Sequence, residues 1–198
     1  MNDEEIVKIL QNDDVSNNEK ESLFKQLVQK YEKDLYSTIY NYILPKGTKE
    51  DAEELVIETF VRFYKSIKNF KLQTTVKKYL YRIGINLAIN FVKSKKIDFI
   101  SFEEIKDEIQ DENSVDDEFF EKEKQNELKK IVYELFSKLP EKQRTALYLV
   151  IYKKMSYEEV AEVLNTSLSS VESLIFRAKQ NLKKYILKNK ELKEKLGL

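Results

Sequence analysis

The chain has 198 residues with 35 basic and 35 acidic side chains, no cysteine, no histidine, three glycines and two prolines. Without Cys and His it cannot build disulfides, Cys/His zinc sites, thiol nucleophiles or imidazole acid–base pairs, and no spacing of its carboxylates, Lys, Tyr or Ser/Thr suggests a catalytic or metal site. The zero net charge conceals segregation: Thr59–Ile97 holds ten basic and no acidic residues, Asp98–Glu127 thirteen acidic against three basic, and Ser173–Leu198 eight basic against two acidic.

Two basic surfaces divided by an acidic segment suit a polyanion partner at two places. Few glycines and prolines, with long stretches of Lys, Glu, Leu and Ile, predict an all-α protein. The acidic start MNDEEIVKIL argues against a secretory leader, and the longest uncharged runs, such as Ile83–Val92, are too short to span a bilayer. The expectation is a soluble cytoplasmic protein with no membrane insertion of its own.

In chain order, a short helix is expected at Glu4–Gln11. Glu19–Leu44 is a long amphipathic helix with Leu23, Leu27, Tyr31, Leu35, Ile39 and Tyr42 on one stripe. Pro45-Lys46-Gly47 stops it. Thr48 then caps a helix running through Phe70, with Asp51 as the capping-box acid. Ala52, Leu55, Val56, Thr59, Phe60 and Phe63 form its buried face. Asp51, Glu54 and Glu58 form an acidic strip outside, beside Ile57 and Val61. That strip could dock on a basic coiled coil or be an ordinary solvated face.

Asn69–Thr75 is a polar loop. Val76–Lys96 is a helix that buries Leu80, Ile83, Leu87 and Phe91 and carries Lys77, Lys78, Arg82, Lys93, Lys95 and Lys96. Tyr79 reads as core, and Tyr81 as core or stacking surface. Ile97–Ser114 is charged and aperiodic, a linker. Val115–Ser137 is the next helix, and Pro140 opens another at a first-turn position.

The last segment, Ser156–Leu182, reads as a helix-turn-helix. Ser156 and Glu159 make a capping box before a helix that buries Tyr157, Val160, Ala161 and Leu164. Asn165-Thr166 breaks the pattern, and Asn tolerates the left-handed conformation a sharp turn needs. Ser167 caps a second helix that buries Val171, Ile175, Ala178 and Leu182. Its opposite face carries Ser169, Ser173, Phe176, Arg177 and Gln180, short polar groups and an arginine with which a major groove can be read. The whole is two small helical domains, 1–96 and 115–198, joined by the acidic linker 97–114.

Two segments together resemble the extracytoplasmic-function (ECF) group of bacterial RNA polymerase sigma factors. DAEELVIETFVRFYKSIKNF (Asp51–Phe70) followed by VKKYLYRIGINLAINFVKSKK (Val76–Lys96) is similar to the family's region 2, usually DAEDLVQETF and WLYRIARNLAID. The stretch from Leu139 to Ile186 looks like region 4, with its LPxxQR and SYEEIAEILGVSxGTVKSRLxRA. The chain departs from the pattern at Ile57 (usually Gln), Tyr79 (Trp), Asn90 (Asp), Asn165 (Gly), and Glu172 and Leu174 (often basic). These departures keep the fold and leave the promoter sequence open.

The resemblance implies a non-enzymatic, cofactor-free specificity subunit that binds core polymerase and directs promoter-specific initiation. Its partners would be the β′ clamp helices and β flap of polymerase, promoter DNA, and an anti-sigma factor. Polymerase docking would fall on Asp51, Glu54, Leu55, Ile57 and Glu58. Recognition and melting of the −10 element would fall on Asn69, Lys71, Gln73, Thr74, Lys77, Lys78, Arg82, Asn86 and Lys93. Asn86 matches the family's NLA motif and otherwise reads as a buried Asn capping a helix turn. The −35 element would meet Ser169, Ser170, Glu172, Ser173, Phe176, Arg177, Gln143 and Arg144. Arg177 could bind base or phosphate, and Glu172 could accept from a cytosine amine or repel the wrong register.

Two elements two and a half turns apart lie about 85 Å from each other. The linker spans at most ~60 Å extended and averages ~25 Å as a relaxed coil. Free in solution, its acids could fold back on the basic helix, so neutralising Asp107, Glu108, Asp111 and Glu112 should raise DNA binding without polymerase. A stand-alone helix-turn-helix regulator would explain only the C-terminal half. A helical protein-binding adaptor would bind no DNA at any salt, even with polymerase present.

Overall fold

A computed structural model describes residues 1–44, 46–71, 73–95, 131–190 and 192–193. The expected linker, the part of the following helix before residue 131, and the Pro45 stop lie outside the described residues. The chain divides into two compact units, Met1–Asp98 with Ala161–Thr166 and the remainder of the chain. Every regular element among the described residues is helical, as the composition predicts.

The first unit holds α1 (Asp3–Gln11), α2 (Asn17–Ile43), α3 (Lys49–Ser66), a 3₁₀ turn (Ile67–Asn69) and α4 (Val76–Ser94). Each start is written locally. Asn2 and Glu5 make a reciprocal capping box on α1, Ser16 caps α2, Thr48 and Asp51 make the expected box on α3, and Thr75 caps α4. α2, α3 and α4 pack on one another, and α1 lies against α2 and the 3₁₀ turn. The α2 stripe is buried as expected: Leu23, Leu27, Tyr31, Leu35, Ile39 and Tyr42.

Two boundaries differ from the sequence expectation. α3 ends at Ser66 rather than Phe70, because the chain tightens into the 3₁₀ turn that buries Ile67. The buried face of α4 is also rotated. Leu80 and Leu87 are buried, but Ile83 and Phe91 are only half-buried, and the seam runs through Tyr81, Gly84, Ile85, Ala88 and Val92. Gly84 sets this rotation. A Cβ there would stand 3.1 Å from the Cδ1 atoms of Ile39 and Leu35 and 3.3 Å from Thr59 Oγ1. The missing side chain lets α4 approach α2 and α3 closely.

After Asp98 the described helices are a segment at 131–137 (α5), α6 (Glu141–Ile151), α7 (Tyr157–Leu164) and α8 (Leu168–Lys188). Pro140 is the N-cap of α6 rather than its first helical residue. α6 buries Thr145 to Leu149 and packs on α8. Ile131 and Leu135 make a satellite core with Leu192, flanked by Leu182, Tyr185 and Ile186.

The helix-turn-helix forms as its residues dictate. Ser156 N–H donates to Glu159 Oε2 at 2.9 Å, and Glu159 N–H donates to Ser156 Oγ at 3.2 Å. Asn165 takes the left-handed conformation, φ 51°. Thr166 N–H then reaches back to Ala161 O at 2.9 Å and Asn165 N–H to Glu162 O at 3.2 Å, a Schellman closure. Val160, Ala161 and Val163 are buried, while Tyr157 and Leu164 are half-buried. Val163, which was not expected on the buried face, is therefore part of it.

Candidate polymerase and nucleic-acid interfaces

The outward face of α3 carries large apolar groups. Ile57 is 64% exposed, Val61 38% and Tyr64 53%. They recur at i, i+4 and i+7, one stripe of a helix. Glu54 is exposed beside them and Glu58 half-exposed. Glu58 pairs with Arg62 at 2.7 Å, an exposed contact of little energetic weight. Leu55 is half-buried, between the stripe and the core. Asp51 turns toward the helix start: it accepts Thr48 N–H at 2.8 Å and lies 3.7 Å from Lys95 Nζ. The structure thus brings Glu54, Ile57 and Glu58 together with Val61 and Tyr64, and leaves Asp51 to the cap. Tyr64 was missed as a site residue, although its spacing from Ile57 signals it.

The loop after α3 is rooted on aromatic packing. Phe70 is buried, with its ring 4.8 Å from Tyr79 and 6.0 Å from Phe63. Tyr79 is half-buried, with its ring packed on Phe70 and Phe63. Asn69, Lys71 and Gln73 are exposed, and Thr74 is half-buried. Gln73 N–H donates to Lys71 O at 2.7 Å, which tightens the loop tip. Across its root lies the last residue of α1. Gln11 Nε2 donates to Ile67 O and to Phe70 O, each at 2.8 Å.

Along α4, Arg82, Asn86 and Lys93 fall on one stripe at i, i+4 and i+11. Asn86 is exposed, so it does not cap a turn inside the core. Lys78 flanks the stripe. Lys77 lies on another side of the helix, with Nζ 5.9 Å from the Tyr81 ring centre. Tyr81 itself is core. It is 2% exposed, and its hydroxyl donates to the carboxylate of Asp34 on α2. Burial, and then that hydrogen bond, raise its pKa well above the usual phenol value.

In α8 the exposed stripe is Ser169, Ser173, Phe176 and Gln180, with Phe176 63% exposed. Glu172 and Arg177 are exposed on its two flanks. Ser170 is half-buried, and its N–H donates to the Ser167 cap at 3.2 Å. Gln143 does not face outward with this group. Its Oε1 accepts from Asn181 Nδ2 at 2.8 Å, which braces α6 against α8. Arg144 is half-buried on α6.

Among the described residues no cluster of three or more Asp or Glu side chains is placed to hold a metal. No helix among them is long and apolar enough to cross a membrane.

The chain matches the sequence profile "Sigma-70 region 2" over residues 27–97 and "Sigma-70, region 4" over residues 129–182. It is 26% identical over 172 residues to the ECF RNA polymerase sigma-E factor of Haemophilus influenzae, covering 82% of this chain and 87% of that protein. It is 27% identical over 176 residues to the ECF sigma factor SigW of Bacillus subtilis, covering 82% and 88%. Among solved structures, CnrH in complex with the cytosolic domain of CnrY is similar at TM-score 0.63 and 20% identity, over 94% of this chain and 98% of that one. The sigma factor RpoE of Bartonella quintana, in complex with the anti-sigma factor NepR, gives TM-score 0.51 at 20% identity, over 84% and 98%. These two structural likenesses bear on the fold alone.

Proposed function

The chain belongs to the sigma-70 family of RNA polymerase sigma factors, in its extracytoplasmic-function group, and from that premise we propose how its residues divide the work. It binds core polymerase, directs promoter-specific initiation through −35 and −10 elements, and is not an enzyme. The first domain, residues 1–96, docks on the β′ clamp helices and engages the −10 element. The second, residues 115–198, reads the −35 element and meets the β flap.

On α3, Ile57, Val61 and Tyr64 supply apolar area, while Glu54 and Glu58 fix orientation against a basic coiled coil. Asp51 contributes by holding the start of that helix. On α4, Arg82 and Lys93 take phosphates. Asn86 and the loop residues Asn69, Lys71, Gln73 and Thr74 hold an unstacked base, which needs polar groups on its edge and aromatic or apolar surface behind it. Lys77 and Lys78 add positive potential at the helix start. On α8, Ser169, Ser173 and Phe176 face the groove floor. Glu172, Ser170 and Arg177 sit at its walls, with Arg144 toward the backbone.

One observation carries this reading: a single small unit bears both an uncovered apolar and acidic stripe on α3 and an acid-free basic stripe on α4. A stand-alone regulator needs neither. Work in the cytoplasm and control by an anti-sigma factor follow from the same reading. Two proteins of similar fold were solved with bound partners, CnrH with the cytosolic domain of CnrY and RpoE with the anti-sigma factor NepR. The test is to supply this protein to core polymerase on genomic DNA and sequence the transcripts. Discrete start sites preceded by a shared pair of elements are expected. Transcription that starts only when another sigma factor is added would overturn the reading.

A further inference from the structure

The candidate −10 loop is built from residues 69–75, yet one of its supports comes from the other end of the unit. α1 is tied down along its length. Ile6, Val7 and Leu10 are buried. Asp3 accepts hydrogen bonds from the Tyr31 hydroxyl and from Lys30, the latter at 2.6 Å. At the far end, Gln11 spends both hydrogens of its side-chain amide on the main chain, at Ile67 O and Phe70 O.

Those two carbonyls bracket the 3₁₀ turn. Ile67 O also accepts from Phe70 N–H at 3.0 Å, so one acceptor closes the turn and ties it to α1. Phe70 O is the last carbonyl before the exposed residues Lys71 and Gln73. The Phe70 side chain is already fixed by Phe63 and Tyr79. Gln11 therefore holds the main chain of the loop root, at the carbonyls of Ile67 and Phe70, where aromatic packing does not act. A site that captures an unstacked base works only if its polar groups are held in place beforehand.

We infer that Gln11 is a positioning residue for −10 base capture, and that α1 is a buttress of the DNA site. This rests on the reading of residues 69–74 as that site. Gln is the suited side chain, because two carbonyls demand two donors at that reach. Glu has the same length but sets a carboxylate against two carbonyl oxygens.

The test uses full-length protein bound to core polymerase, with a fluorescent single-stranded oligonucleotide carrying the non-template −10 sequence from the mapped start sites and a scrambled control. Gln11→Ala is expected to lower discrimination between the two about five- to tenfold, and Gln11→Glu more. Affinity for core polymerase should stay within about twofold, since Gln11 is not part of the α3 stripe. A Lys71→Ala/Gln73→Ala variant measured alongside reports on the loop itself. If that variant loses discrimination and Gln11→Ala does not, the inference is wrong and the loop assignment stands. If the loop variant discriminates as well as the parent, the loop assignment is wrong and the inference goes with it. If Gln11→Ala weakens polymerase and oligonucleotide binding in the same proportion, Gln11 serves folding alone and the inference is again wrong.

Discussion

The hydroxyl of Tyr81 on α4 donates to the carboxylate of Asp34 on α2. Thr38, one turn along α2, donates its hydroxyl hydrogen to Asp34 O at 2.6 Å, with its Oγ1 3.4 Å from the Tyr81 oxygen. A polar contact thus ties the basic helix to the long helix beneath it, from the buried Tyr81 to Asp34 at the exposed edge of the seam.

Tyr81→Phe should lower the stability of the first unit by about 1–2 kcal/mol at neutral pH, because the acceptor on Asp34 loses its buried donor. The fold holds the phenol proton more tightly than the unfolded chain, where tyrosine titrates near 10.0. Stability from this group is therefore complete below that pH and is lost as pH rises above it. Tyr133, pushed up to about 12 by burial, acts in the same direction. Thermal unfolding followed by circular dichroism should show a flat midpoint at neutral pH and a fall above pH 10.0. The fall should be shallower in Tyr81→Phe.

Gly84→Val should destabilise the first unit by about 2–3 kcal/mol. Its side chain would enter the space 3.1 Å from Ile39 and Leu35 that the helices leave for hydrogen alone. Denaturant titration measures this. An unchanged midpoint would mean that α4 can pivot on α2 at no cost.

Ile57→Glu should weaken binding to core polymerase at least about tenfold. The residue is 64% exposed, so helicity and melting temperature should not change. Fluorescence anisotropy against core polymerase reads the loss. An unchanged affinity would move the docking surface off α3.

Arg177→Ala should weaken promoter binding by the polymerase complex about equally for every −35 variant and reduce the slope of affinity against salt by about one. Arg177 flanks the Ser169–Ser173–Phe176–Gln180 stripe, which suits a phosphate contact. A loss confined to one base pair would make it a base reader instead.

What the sequence made legible was local. Thr48 with Asp51, Ser156 with Glu159, and the left-handed Asn165 each involve residues within a few positions of one another, and each formed as its chemistry required. The α2 stripe was legible because one period repeats over many turns. The rest depends on partners distant in the chain. Nothing near Tyr81 announces Asp34, 47 residues away, and nothing near Gln11 announces carbonyls 56 and 59 residues on. Gln143 read as an outward group because its partner, Asn181, sits on another helix. The rotation of α4 depends on which neighbours crowd Gly84, which periodicity alone does not encode.

Asn165 has one further consequence, for how such a protein can change over generations. Its left-handed backbone admits Asn or Gly and few others at little cost. Val171, Ile175 and Ala178 are similarly constrained by burial. Ser169, Glu172, Ser173, Phe176, Arg177 and Gln180 lie outside both constraints. Substitutions there leave the corner and the core untouched; if this face reads the −35 element as proposed, a lineage can drift to new promoters while the scaffold stands still.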